Sequence, residues 1–205
     1  MKNAALLFAL ALGPAAAQAG TLWSQGPPND NATNIVDYRL ADDFVLPQAS
    51  TVTGIEFWYQ AQFEADLTQV WYAFYADAGG APGGLIATGN AEPGLSIDGN
   101  AYLATFTIPA LNLPAGAGWL ELHAGASLTD NTAFGIWWAA TDNNATAIAR
   151  LDPVPDAPQT PLDFDGYRQY AFRLDGTAAP TPEPRTATFA AGAMLLAWIG
   201  RRVRK

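Results

Sequence analysis

The chain has 205 residues, a formal net charge of −9 and no cysteine. Thiol catalysis, Cys-ligated zinc, disulfides and lipid anchoring through an N-terminal Cys are therefore excluded. Between Gly20 and Thr181 lie four arginines, no lysine and every acidic residue except Glu183; such a surface lacks the basic patch that nucleic-acid binding requires.

At the N-terminus, Lys2 precedes an apolar run from Ala4 to Leu12. Gly13-Pro14 breaks the run, and Ala17-Gln18-Ala19 supplies the small-x-small pattern that fits a signal peptidase. The run falls short of the roughly 20 residues a permanent membrane helix needs. Residues 1–19 are thus expected to be a cleavable signal peptide for the export translocon, cut between Ala19 and Gly20.

From Gly20 onward the pattern is strands and turns, with no 3.6-residue period sustained over three turns. The expected strands are Ile35–Leu40, Asp43–Leu46, Val52–Gln60, Gln69–Ala76, Leu85–Ala91, Tyr102–Ile108, Trp119–His123, Phe134–Ala140, Ala145–Leu151 and Arg168–Leu174. They are short and rich in β-branched and aromatic residues. Gly79–Gly84, Asp98-Gly99-Asn100, Gly116-Ala117-Gly118, Asp142-Asn143-Asn144 and Asp165-Gly166 punctuate them as turns. Many short strands at near-regular spacing predict an all-β domain over residues 20–174, an antiparallel β-sandwich of jelly-roll type. Alternation places Ile55, Phe57 and Tyr59 on one face, opposite Glu56, Trp58 and Gln60. It likewise groups Val70, Tyr72 and Phe74, and turns Leu120 and Leu122 away from Glu121 and His123. Asp152–Pro161 carries four prolines and reads as an extended loop; residues 175–181 read as a linker.

The C-terminus has three parts in order: Pro182-Glu183-Pro184, an uncharged apolar stretch at 186–200, and the basic cluster Arg201, Arg202, Arg204 and Lys205. At 1.5 Å per residue the apolar stretch reaches about 22 Å, short of the ~30 Å hydrocarbon core. Arg185 and Arg201 can make up part of the difference by snorkelling. The positive-inside rule keeps the basic cluster cytoplasmic, which puts the acidic body on the export side, in agreement with the signal peptide.

This tail, residues 182–205, resembles the PEP-CTERM sorting signal of environmental bacteria. The resemblance implies a single transmembrane helix, recognition and processing by a membrane-embedded exosortase, and transient inner-membrane anchoring before a final surface or extracellular location. Arg185 stands directly after the motif where a small hydroxyl residue is commoner, so the position of the cut is open. The pattern Ala41–Pro47, Val52–Trp58 and Phe74–Asp77 also resembles the β-sandwich bodies of secreted bacterial proteins, which implies the fold and no reaction. Together these imply a non-enzymatic surface or matrix protein linked to exopolysaccharide or biofilm.

No residue pattern marks a catalytic site. His123 is the only histidine, and there is no Gly-x-Ser-x-Gly elbow to pair with it. Carboxylates able to pair as in a glycosidase exist among Asp42, Asp43, Glu56, Glu64, Asp66 and Glu121, as chance alone provides in so acidic a chain. A structural Ca²⁺ could be held by Asp163 and Asp165 with Asp42 and Asp43, although no EF-hand loop is present. Trp58, Trp71, Trp137 and Trp138 are candidates for stacking on sugar rings, which requires at least two exposed rings on one sheet; otherwise tryptophans fill the core.

Overall fold

The computed structural model of the protein describes residues 20–61, 67–130, 133, 135–142 and 169–180, and the backbone of 148–153. Thirteen strands are formed among them and no helix. In chain order they are β1 (Gly20–Ser24), β2 (Pro28–Asn34), β3 (Tyr38–Leu46), β4 (Ser50–Ala61), β5 (Val70–Asp77), β6 (Pro82–Ala91) and β7 (Gly94–Asp98). β8 (Ala101–Leu113), β9 (Gly116–Ala124), β10 (Ile136–Thr141), β11 (Ile148–Pro153), β12 (Gln169–Tyr170) and β13 (Phe172–Ala178) follow.

Two antiparallel sheets result. One has five strands in the order β11-β3-β9-β5-β6. The other has eight and is organised around β4, which pairs along one edge with β8. Its other edge takes β13 along Ser50–Phe57 and β10 along Tyr59–Ala61. β1 closes onto β13, β2 onto β10 and β7 onto β8.

Period-two alternation builds the core. Ile55, Phe57 and Tyr59 of β4 meet Val70, Tyr72 and Phe74 of β5 and Leu120 and Leu122 of β9 in one cluster between the sheets. Tyr72 and Phe106 touch across the interface with ring centroids 5.9 Å apart, and Trp138 stacks on Tyr170 at 4.8 Å. Each ring removed from water contributes about 2–3 kcal/mol. The close approach of aromatic rings explains Gly89, where a Cβ would lie 2.5 Å from the Tyr72 hydroxyl and 2.8 Å from its ring carbon.

Several boundaries differ from expectation, each for a local reason. Ile35–Leu40 and Asp43–Leu46 are not two strands, because β3 runs unbroken through Asp42. The carboxylate that looks like a strand breaker is satisfied inside the core. β8 continues past Ile108 to Leu113; Pro109 lies where Val52 pairs with Leu111 and Gly54 with Thr107, an irregularity that absorbs a residue with no N–H to donate. Arg168–Leu174 is divided at Ala171, where the chain changes partner. The Ala171 amide donates to the Ala139 carbonyl, and its carbonyl accepts from Trp58. Residues 175–178, expected in a linker, belong to β13; Gly176 permits this because a Cβ there would run into the Thr51 carbonyl. β1, β2 and β7 were not expected at all. The residues 1–19 and 182–205, with the expected signal peptide and apolar span, lie outside the described residues. Among those described, no helix is long and apolar enough to cross a membrane.

Candidate functional site

A polar and aromatic cluster lies on the outer face of the five-stranded sheet. Alternation on β3, β9 and β5 turns Leu40, Leu122 and Phe74 inward, so their neighbours Arg39, Glu121 and Tyr75 share the opposite face. Glu121 lies between Ala41 of β3 and Ala73 of β5, which pair with it on either side. The small alanines leave room above the carboxylate, and two long side chains fill it. Arg39 donates from Nε to Oε1 at 2.7 Å and from Nη2 to Oε2 at 3.0 Å. The Tyr75 hydroxyl donates to Oε2 at 2.6 Å, and Arg39 Nη2 also reaches the Tyr75 oxygen at 3.2 Å. Glu121 is 0% exposed, while the Arg39 side chain keeps 25% of its surface in water.

Electrostatics follow from this packing. The hydrogen bond to Glu121 raises the Arg39 pKa further above its ordinary value. Burial, then the Glu121 hydrogen bond, pushes the Tyr75 hydroxyl well above the usual tyrosine range. One row along, Trp119 is buried, and its indole N–H donates to Asp77 Oδ1 at 2.9 Å. That bond, with the Gly80 and Gly79 amides, lowers the Asp77 pKa. In the other direction His123 is buried with Nε2 3.2 Å from the Asp130 carbonyl oxygen and Nδ1 without a partner. Desolvation depresses its pKa below the ordinary 6.5.

The cluster's central carboxylate is therefore held rather than free. Three donors take up both oxygens of Glu121, which leaves no base aimed at a substrate. The other carboxylates considered as partners do not converge on it. Glu56 lies on the outer face of the opposite sheet, paired to Arg173 at 3.3 Å, and Glu64 and Asp66 lie outside the described residues.

Asp42 and Asp43 do not form the two arms of an oxygen cage, because neighbours in a strand face opposite ways. Asp42 is 0% exposed between the sheets. It accepts from the Tyr170 amide at 2.7 Å, the Asp43 amide at 2.9 Å and Gln25 Nε2 at 3.5 Å. Burial pushes its carboxyl well above the ordinary range, and the Tyr170 amide opposes that. Asp43 faces outward and accepts from Gln169 Nε2 at 3.1 Å; burial raises its pKa as well. Asp163 and Asp165 lie outside the described residues. Among those described, no group of three or more His, Cys, Asp or Glu side chains could hold a metal ion.

The four tryptophans expected as sugar platforms are not equivalent. Trp138 is 0% exposed, inside the core, with its indole N–H donating to the Ala171 carbonyl at 3.1 Å. Trp58 does face outward from β4, yet it is only 2% exposed. It lies among Ala101, Ala139 and Ala171 with the Arg173 guanidinium 4.8 Å from its ring centroid and its N–H bound to Asp98 at 2.8 Å. Burial removes both from any stacking role. Trp71 and Trp137 are half-buried, but they stand on different sheets and cannot form one row. The ring that does share a strand face with Trp71 is Tyr75, which alternation groups with Trp71 and Ala73 but which was not among the stacking candidates. Arg39 was missed too; its signal was present, as one of only four cations available to a strongly acidic body.

The first described residue, Gly20, opens β1 opposite Gly176 of β13. The start of the body and its exit toward the C-terminus therefore lie side by side at one sheet edge. No protein-family model matches this chain, and no curated protein matches it.

Proposed function

We propose that the chain is an exported, non-enzymatic surface or matrix protein, freed from its leader between Ala19 and Gly20 and sorted by an exosortase-type enzyme through residues 182–205. On this reading the body is a jelly-roll-type sandwich, held transiently in the inner membrane by the apolar span 186–200, and works outside the cell in association with exopolysaccharide. The observation that carries it is the register of β1 against β13. β1 runs beside β13 with Gly20 opposite Gly176, so both ends of the described body lie at one sheet edge, which suits a body set between a leader and a sorting tail. The absence of lysine between Gly20 and Thr181 and the surplus of acids there suit a soluble exterior, and the three donors on Glu121 suit a structural rather than a catalytic carboxylate.

The test is expression of the full chain in a bacterium with and without its exosortase, followed by fractionation, N-terminal sequencing and intact mass. A mature N-terminus at Gly20 is expected, with loss of the tail only when the exosortase is present. A full-length chain in the cytoplasm with both ends uncut would overturn the reading. A second reading, a carbohydrate-binding module, is favoured by Trp71 and Tyr75, two half-buried rings on one face of β5 about 14 Å apart by strand rise. Glycan-array binding lost in Trp71→Ala would select it, and no binding to any glycan would remove it.

A further inference from the structure

Several carboxamides of the body are tied to a neighbour within the protein. Asn29 donates to Asp142 at 2.7 Å, Asn34 to Asp37 at 2.8 Å and Asn90 to the Ala126 carbonyl at 3.2 Å. Asp30, Gln60 and Asn100 are different. Among the described residues their side chains have no hydrogen-bond or ion-pair partner. All three line one cavity of about 430 Å³, together with Ile97, Gly99 and Tyr102.

Strand pairing assembles this lining from distant parts of the chain. Tyr59 of β4 lies opposite Tyr102 of β8, and Gln60 follows it along β4. The two-residue turn Gly99-Asn100 joins β7 to β8 and brings Asn100 to the rim; the φ of +64° at Gly99 is what so tight a turn requires. Ile97 pairs directly with Tyr102, which sets the two side chains side by side on one face. Tyr102 rests against Tyr59 with ring centroids 5.3 Å apart. Ile97 is 66% exposed, the largest value of any large apolar side chain described. Asp98, the next residue, faces the other way, accepts from the Trp58 indole at 2.8 Å and does not line the cavity. One apolar wall therefore stands beside three uncommitted polar groups.

We propose that this cavity is a subsite for one ring of a neutral saccharide. The chemistry of the lining selects the ligand. A sugar ring carries patches of C–H bonds between hydroxyls, and the Ile97–Tyr102 wall packs against the first while the polar groups meet the second. The Asp30 carboxylate accepts from hydroxyls, and the Gln60 and Asn100 carboxamides both donate and accept. No cation lines the cavity, and Asp30 repels an anion. A divalent cation takes six or more oxygens, and a single carboxylate is too little charge to hold one. An extended peptide needs a free strand edge, whereas β4 and β8 beneath the cavity are paired on both sides. The subsite rests on the proposed association with exopolysaccharide and gives it a place; sorting is read by fractionation and mass, sugar binding on purified chain, so the failure of one is told from the failure of the other.

The test is titration calorimetry of the full-length chain in a detergent without a sugar headgroup. The probes are neutral oligomers of glucose, galactose, mannose and N-acetylglucosamine, with an oligouronate of equal length as the anionic control. At least one neutral oligomer is expected to bind with a Kd on the order of 1 mM, and the oligouronate at least about tenfold more weakly. Asp30→Ala weakens binding by at least about tenfold and Gln60→Ala by about three- to tenfold. Neither side chain holds a protein neighbour, so both variants keep the wild-type melting temperature. Glu92→Ala removes the same charge from outside the cavity and leaves binding unchanged. Three results would each overturn the proposal: no neutral oligomer binds, the oligouronate binds as tightly, or binding survives Asp30→Ala and is lost in Trp71→Ala.

Discussion

Replacing Glu121 by glutamine tests whether the outer-face cluster holds the five-stranded sheet together. The substitution keeps the shape but removes the charge, and its amide NH₂ faces the Arg39 Nε donor if it takes the Oε1 place, or Arg39 Nη2 together with the Tyr75 hydroxyl if it takes the Oε2 place. At least one of the three hydrogen bonds, at 2.7, 3.0 and 2.6 Å, is lost and the remainder lose the charge on their acceptor. Hydrogen bonds to a charged group contribute about 1.5–3 kcal/mol each, but Arg39 keeps a quarter of its surface in water and recovers part of the loss by hydration. A net destabilisation of about 2–4 kcal/mol is expected, which lowers Tm by roughly 5–15 °C in a domain of this size. The assay is urea unfolding of wild type, Glu121→Gln, Arg39→Met and the double variant, read as a cycle. Because Arg39 and Glu121 touch directly, the coupling should be about 1–3 kcal/mol. Coupling below about 0.5 kcal/mol would refute the reasoning and reduce the clamp to an ordinary surface ion pair.

The buried His123 makes stability fall in mild acid. Its folded pKa lies below the unfolded 6.5, so the unfolded chain takes up the proton first, and stability drops as pH falls from about 6.5 toward the folded value. Urea midpoints at pH 7.5 and 5.5 should differ more in wild type than in His123→Gln, and equal differences would count against the buried neutral imidazole. At Gly89 an added methyl meets the Tyr72 ring, so Gly89→Ala should cost about 1–3 kcal/mol by overpacking. The Gly89→Ala/Tyr72→Phe pair should recover part of that in the same melts, because the hydroxyl is the nearest atom; no recovery would show the strain to be elsewhere.

The core was legible because its signal is local. Ile55, Phe57 and Tyr59 repeat every second residue, as do Val70, Tyr72 and Phe74, and all six lie between the sheets. The outer-face cluster was not, because its members come from strands 36 to 82 positions apart and nothing in their neighbourhoods marks them. The same alternation that assigns Glu121 and His123 to the opposite face from Leu122 says nothing of what covers that face, and both are fully buried. Trp58 misleads in the same way: its facing was legible, but the alanines from β8, β10 and the Ala171 junction that enclose it were not. β2, with the sequence Pro-Asn-Asp-Asn-Ala-Thr-Asn, carries turn chemistry throughout and is a strand only because β10 pairs with it.

Among the described residues β1 has a single partner, and that partner is the last strand of the body. A polypeptide threaded through a narrow passage amino end first delivers Gly20–Ser24 early and must wait some 150 residues for Phe172–Ala178. The middle strand β4 waits as well, since most of one edge belongs to β13. Such long-range closure folds slowly. In a chain that emerges amino end first, the two sheets are completed only after the final strand has appeared.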